Sequence, residues 1–279
     1  MSSEAPAPLP HLPRVGPEAL DEIAELCRRA ISQPFTNSEL LRSLFAPEQP
    51  AIVRFDESVG LVAVVPGDPD GYVRLLAVDP ALRGKGNGHL LVQSAEADLA
   101  GSRVVTVGAD PPYFLFPGVP THETSACALF ERHHYVREET NFNMVVDLDD
   151  LPPGEGVALE PSPSQRDEIE GWALEHWSNW HGEFMRAFDQ GSLIFCRDSE
   201  GIAALCAYNV NRSQTLGPVA SRPALMGKGA AQPLLLGALR KMRGMGYRTI
   251  EVLWVGPLVP YGRVGGRVGS TFFVYRKRR

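Results

Sequence analysis

Between residues 17 and 31 the apolar positions Leu20, Ile23, Cys27 and Ile31 recur every three or four residues, which predicts an amphipathic helix. The period then shortens. Residues 51–55 and 60–65 are two short apolar runs separated by an Asp-Glu-Ser turn, as in a β-hairpin, and 72–78 reads as a third strand. A glycine-rich segment follows, Arg83-Gly84-Lys85-Gly86-Asn87-Gly88. After it comes a helix with Val92, Ala95 and Leu99 on one face, a stop at Gly101, and a β-branched strand from Arg103. A short helix and a last strand over 141–148 complete this half.

The same order then returns. Residues 164–177 predict a helix, 192–197 and 202–210 two strands, and 215–220 the strand that enters a second glycine-rich segment. Leu235, Leu239 and Met242 share one face of the next helix, which stops near Gly244 and Gly246. A strand from Thr249, a short helix and a strand over 271–276 end the chain. The repetition extends to residue identity. Pro80-Ala-Leu-Arg-Gly-Lys-Gly86 and Pro223-Ala-Leu-Met-Gly-Lys-Gly229 differ at one position, at an offset of 143 residues. Later segments match at an offset of 131, Phe130 with Tyr261, so the first half carries 12 additional residues in the aromatic, proline-rich stretch 111–120. The expected layout is a disordered lead over 1–11, one domain over 12–148, a linker over 149–156 and a second domain over 157–279.

The 279 residues are 44% hydrophobic and 22% charged, enough for two globular cores. No apolar run reaches the roughly 20 residues that cross a bilayer, and the N-terminus lacks an export pattern. A membrane partner is therefore not expected. Cys27, Cys127, Cys196 and Cys206 are scattered, with no metal-ligand spacing, so neither disulfides nor a metal site is expected and a reducing cytoplasm is the simpler location. The net charge of −6 hides an asymmetry. Residues 1–150 hold 11 Lys+Arg against 22 Asp+Glu, and the remainder hold 16 against 11. The basic ending Arg276-Lys277-Arg278-Arg279 is read as a solvated tail rather than a nucleic-acid site.

A strand that runs into a glycine-rich turn and then a helix makes an anion site. The first amides of the helix lack partners, and the helix dipole favours negative charge there. Gly84, Gly86 and Gly88 would let a phosphate approach, with Arg83 and Lys85 adding charge. The spacing fits neither the nucleoside-triphosphate loop nor the dinucleotide fingerprint.

Val78-Asp-Pro-Ala-Leu-Arg83-Gly-Lys-Gly86-Asn-Gly88 resembles the central motif of the GNAT acyltransferase superfamily, and the element order in each half is similar to that family's. The chain looks like its tandem branch, to which mycothiol synthase also belongs. The resemblance implies an α/β class (α+β by some schemes) of two tandem acyl-CoA N-acyltransferase folds, with mixed, mostly antiparallel sheets flanked by helices. It implies acetyl-CoA as cosubstrate, an amine of a small molecule or a protein as acceptor, and no metal. Leu76, Ala77 and Val78 would pair with the pantetheine arm, and residues 83–88 (Arg83, Gly84, Lys85, Gly86, Asn87, Gly88) would hold the pyrophosphate. Val219, Ala220, Ser221, Gly227, Lys228 and Gly229 would be their counterparts, weakened because Met226 replaces the arginine.

Direct attack of an amine on a thioester needs a base and benefits from an acid for the departing thiolate. The family's usual acid is a tyrosine on the last helix, and Tyr261 supplies it in the second half. Phe130 stands at that place in the first, where the ring cannot donate a proton. Glu251 is the candidate base of the second half; His133, His134 and Asp110 are those of the first. Trp172, His176, Trp177, Trp180 and His181 form an aromatic cluster that packs a helix face or lines an acceptor pocket. Competing readings are a non-catalytic acyl-CoA-binding protein and, less well supported, a tRNA-dependent aminoacyl transferase. The oligomeric state is left between monomer and homodimer.

Overall fold

The computed structural model describes residues 12–33, 35–46 and 48–279; the lead expected over 1–11 lies outside them. The chain divides into two compact units. The first comprises residues 1–110, 114–139 and 273–279, and the second 111–113 and 140–272. These units share most of their residues with the halves expected from the repeat. They part from them at two long strands and at the tip of the 111–120 stretch.

In the first unit, helices α1 (Leu20–Ala30) and α2 (Asn37–Phe45) precede strands β1 (Ile52–Asp56), β2 (Gly60–Val65) and β3 (Asp70–Ala77). Then come α3 (Asn87–Asp98), β4 (Val104–Val107), the short β5 (Val119–Pro120), α4 (Thr124–Arg132) and the first residues of β6 (Val136–Asp147). β1, β2 and β3 pair antiparallel, whereas β3 and β4 are parallel. Beyond β4 the sheet takes in residues 275–278 of the last strand of the chain, with Tyr275 opposite Val107 and Arg278 opposite Val104. Side chains alternate along each strand. Leu61, Ala63, Leu75 and Ala77 pack with Ile23, Leu26, Leu40 and Leu44 of α1 and α2 on one face. Val62, Val64 and Val73 pack with Leu91, Val92 and Ala95 of α3 and Phe130 of α4 on the other. α2 was not foreseen, although Thr36 and Glu39 form a reciprocal capping box at its start.

The second unit has helices α5 (Arg166–Trp177) and α6 (His181–Asp189), and strands β7 (Leu193–Asp198), β8 (Gly201–Tyr208) and β9 (Thr215–Ser221). It continues with α7 (Gln232–Gly244), β10 (Thr249–Val252), α8 (Leu258–Gly262) and β11 (Arg267–Arg278), whose residues 267–272 belong to this unit. β7, β8 and β9 are antiparallel, β9 and β10 parallel, and β10 pairs antiparallel with residues 144–147 of β6. Each unit is thus a mixed α/β layer structure with a mostly antiparallel sheet between helices.

The basic ending is not a solvated tail. Residues 276–278 are strand and their side chains pair with carboxylates of the first unit, while Arg278 and Arg279 stay exposed. Arg276 meets Glu138 and Glu139, Lys277 meets Glu96 at 2.8 Å, and Arg278 meets Glu138. The Arg279 guanidinium donates to the carbonyls of Leu99 and Glu96. Two arginines beside Glu138 hold its carboxyl at about 2, below the ordinary range. The compositional signal was right about the charge and silent about its partners, which lie some 140 to 180 residues away. All four cysteines are free and buried. No helix among the described residues is long and apolar enough to cross a membrane.

Candidate functional site

The glycine-rich loop of the first unit is held open by its own backbone. Gly84 and Gly86 adopt φ of +75° and +90°, a region that L side chains enter only with strain. Gly86 caps α3, and a Cβ built at either glycine would meet nothing within 4 Å. Among the described residues the amides of Gly84, Lys85 and Gly86 donate to no carbonyl, and those of the first turn of α3 have no intrahelical partner by geometry. The consecutive amides of residues 84–89 are therefore without backbone partners at the positive end of a helix dipole. The side chains act differently from the simple expectation. Arg83 donates to the carbonyls of Val78 (3.2 Å) and Ala30 (2.8 Å), which ties the loop to the end of α1. Lys85 lies over the carbonyl of Ala81 at 3.1 Å, and Asn87 reaches the carbonyls of Ser58 and Leu82.

Below this loop the two parallel strands separate. β3 and β4 pair from Asp70–Val104 to Val73–Val107, and Gly108 N–H still donates to the Val73 carbonyl at 2.9 Å. Gly108 and Ala109 then take positive φ and turn away, with Ala109 N–H bonded to the Phe116 carbonyl. Gly108 has to be glycine, because a Cβ there would stand 2.8 Å from the backbone of Gly118. β3 runs on alone, so the edge of residues 74–78 that faced β4 is released. A cavity of about 770 Å³ fills the opening, within the usual range for a cofactor-sized ligand. Leu76, Ala77, Val78, Arg83, Gly84, Gly86 and Gly88 all line it; Lys85 and Asn87 belong to the loop but not to the lining.

The register of β3 carries one extra residue. Val73 faces Val64 and Leu75 faces Ala63, so Arg74 is a bulge residue. Its fully buried guanidinium bonds Asp110 Oδ2 through Nε at 2.5 Å and the Ser43 carbonyl through Nη1 at 2.6 Å, and it also reaches Gln49. Asp110 Oδ1 is buried and has no hydrogen-bond partner among the described residues. Burial raises the Asp110 carboxyl, and the charge and hydrogen bond of Arg74 oppose the rise. Among the described lining residues Glu123 is the one carboxylate, beside Arg74, Arg83, Arg132 and the histidines His89 and His133. Phe130 lines the cavity with a ring that has no proton to give, and Tyr275 stacks behind it. From the 111–120 stretch, Phe116, Gly118, Val119 and Pro120 line the cavity.

The remaining expected residues belong to the second unit. Gly227 and Gly229 have φ of +75° and +80°, so the second loop follows the backbone path of the first. Its surroundings differ. Lys228 N–H is already bonded to the Leu225 carbonyl at 3.1 Å, and α7 begins only at Gln232, with Pro233 in its first turn. In β9, Pro218 offers no amide. Val219 and Ala220 pair with Cys206 and Leu205 as Leu76 and Ala77 do with Val62 and Leu61, but the Ser221 carbonyl accepts the Trp177 indole N–H at 2.8 Å. Glu251 is held by Arg212 at 2.7 Å and by Asn143 at 3.0 Å. Tyr261 is packed in the core of this unit, and burial pushes its hydroxyl pKa upward. Trp172 donates to the Ile202 carbonyl, and Trp180 meets Trp254 edge-on.

Sequence reasoning gave no prominence to two features of the first cavity. Glu123 carries no motif of its own. Arg74 looked like an ordinary strand residue, because a bulge cannot be read from one strand alone. His133, a candidate base of the first half, is buried with His89 at 2.8 Å, a pairing that no local pattern shows.

Residues 18–135 match the family described as Acetyltransferase (GNAT) family. A search of curated proteins gives no match. Solved structures similar to this chain include a GCN5-related glucosamine N-acetyltransferase region of a fungal multi-domain GH3 β-N-acetylglucosaminidase. It is 21% identical, with a TM-score of 0.79 over 99% of this chain, which spans only 39% of that protein. A GCN5-related N-acetyltransferase from Sphaerobacter thermophilus is 19% identical with a TM-score of 0.68, covering 95% of this chain and 94% of its own. A tandem GNAT protein from the clavulanic acid biosynthesis pathway is 15% identical with a TM-score of 0.66, covering 94% and 95%. The open anion loop above a parted strand pair lies inside residues 18–135, the segment that is similar to the GNAT acetyltransferase family.

Proposed function

We propose that the first unit binds acetyl-CoA and transfers its acetyl group to the amine of a small molecule or protein, within a chain built from two copies of one fold. The observation that carries this reading is the row of bare amides at 84–86, opening onto a cavity that continues along the released edge of β3. Bound acetyl-CoA supplies an activated acyl group. Residues 84–88 would hold its diphosphate, and the backbone of Leu76, Ala77 and Val78 would pair with the pantetheine and offer an amide to the thioester oxygen. A protonated amine must lose a proton before it attacks, and Glu123, the one carboxylate among the described lining residues, is the base we propose. With phenylalanine at position 130, the departing thiolate takes its proton from solvent.

In this reading Tyr261 and Glu251 serve the second unit's architecture, and the loop at 227–229 holds no cofactor. The buried Tyr261 ring, the Arg212–Glu251 ion pair and the occupied Ser221 carbonyl support that division. A panel of amines, including amino acids, polyamines, peptides and glucosamine, assayed for free thiol release from acetyl-CoA, tests the function. Glucosamine is included because the fungal region similar to this chain is described as acting on it. Phe130 favours a second reading, a domain that binds acyl-CoA without turning it over. Such a protein would be stabilised by acetyl-CoA and release no thiol with any amine.

A further inference from the structure

His89 lies in the first turn of α3, directly after the glycine loop, and His133 closes α4. Both line the cavity. His89 Nδ1 and His133 Nε2 are 2.8 Å apart and the rings lie 4.6 Å centre to centre. A hydrogen bond between two imidazoles needs one N–H and one lone pair, so the pair holds together in its neutral form with either ring as donor. In both arrangements one outer ring nitrogen keeps a lone pair: His89 Nε2 if His89 donates, His133 Nδ1 if His133 donates. That nitrogen can take one proton without breaking the bond between the rings.

Charges around the pair are balanced in the free protein. From α3, Glu96 faces His133, but it is held by Lys277 of β11 at 2.8 Å. Arg132 and His134 flank His133 in sequence, and Arg279 is tied to backbone carbonyls of α3. Burial, followed by the repulsion of His89, lowers the His133 pKa. The hydrogen bond between the rings is the one an uncharged pair makes. Anionic phosphates arriving at the amides of 84–88 change that balance, because they favour a cation in the adjoining wall.

We propose that the His89–His133 pair is a proton-coupled phosphate-binding element of the cofactor site: it takes one proton from solvent when coenzyme A binds, and the resulting imidazolium faces the phosphates. The inference rests on the reading of 84–88 as the diphosphate site and adds to it a pH-dependent affinity. The sign follows from linkage. Binding raises the pKa of the pair, so affinity grows as pH falls, up to about tenfold per pH unit between the free and bound values, and levels off below the free value.

Titration calorimetry of the full chain with coenzyme A at about pH 7, in buffers of small and large ionisation enthalpy, counts the protons taken up. Dephospho-coenzyme A, which lacks the titrating 3′-phosphate, is the control that removes the ligand's own proton. The expected result is uptake of a fraction of one proton by the wild type with both ligands. Uptake should be near zero in His89→Gln and in His133→Gln, and their affinities should be flat with pH. Melting curves of both variants confirm that each is folded. Clear binding with no uptake, or uptake unchanged in both variants, overturns the proton-coupled pair and leaves the cofactor reading intact. No binding by the folded wild type overturns both.

Discussion

At the scale of single residues, Gly86 combines two constraints that no other amino acid meets. Its φ of +90° disfavours a Cβ, and the space above it is empty of protein. Gly86→Glu should therefore cost stability only through local strain, about 1–3 kcal/mol, while its carboxylate occupies the anion site. The expected outcome is a folded protein that no longer binds acetyl-CoA, read by melting curve and calorimetry. Arg74 and Asp110 form the opposite case, a pair whose function is packing. Arg74→Leu would leave the Asp110 carboxylate buried and uncompensated, at about 3–5 kcal/mol, and a urea titration should show that loss. Tyr261→Phe should leave turnover unchanged, in line with a hydroxyl buried in the second unit. Glu123→Gln should lower kcat in a steady-state thiol-release assay, since a neutral amide accepts no proton.

At the scale of elements, the legible parts were those written in local pattern. The hairpin strand over 60–65 begins and ends where the structure places it, and the strand into the second loop is one residue longer than expected. The backbone turn at Gly84 and Gly86 was legible, because glycine identity reports on backbone conformation, whereas the carbonyl partners of Arg83 and Lys85 were not. α2 was missed although its capping box, Thr36 and Glu39, stood in the sequence. The early part of β6 was missed for a physical reason. Arg137, Glu138, Glu139 and Thr140 are exposed, with no alternation of apolar and polar positions, and their charges are matched by arginines near the other end of the chain. The bulge at Arg74 and the pairing of His89 with His133 depend on neighbours brought together by folding, so no local rule could show them. At this scale, Gly229→Glu in the second loop should leave acetyl-CoA affinity unchanged.

For the whole molecule, the first unit takes residues from both ends of the sequence. Tyr275 is fully buried in its core, residues 275–278 pair with β4, and Lys277 is bound to Glu96. A fragment ending at residue 148 would lack this strand, and deleting residues 273–279 from the full chain would remove it as well. Both should lose acetyl-CoA binding and become open to proteolysis in the first unit, although the glycine loop is intact in each. The sequence repeat gave no sign that residues 273–279 belong to the first unit.

Titration of the intact chain with acetyl-CoA, with the number of sites as the result, tests the central claim most directly. A single site per chain, lost in Gly86→Glu and retained in Gly229→Glu, is the predicted outcome. Two sites, no site, or a site that survives Gly86→Glu would contradict the assignment of the cofactor to the amides of residues 84–88.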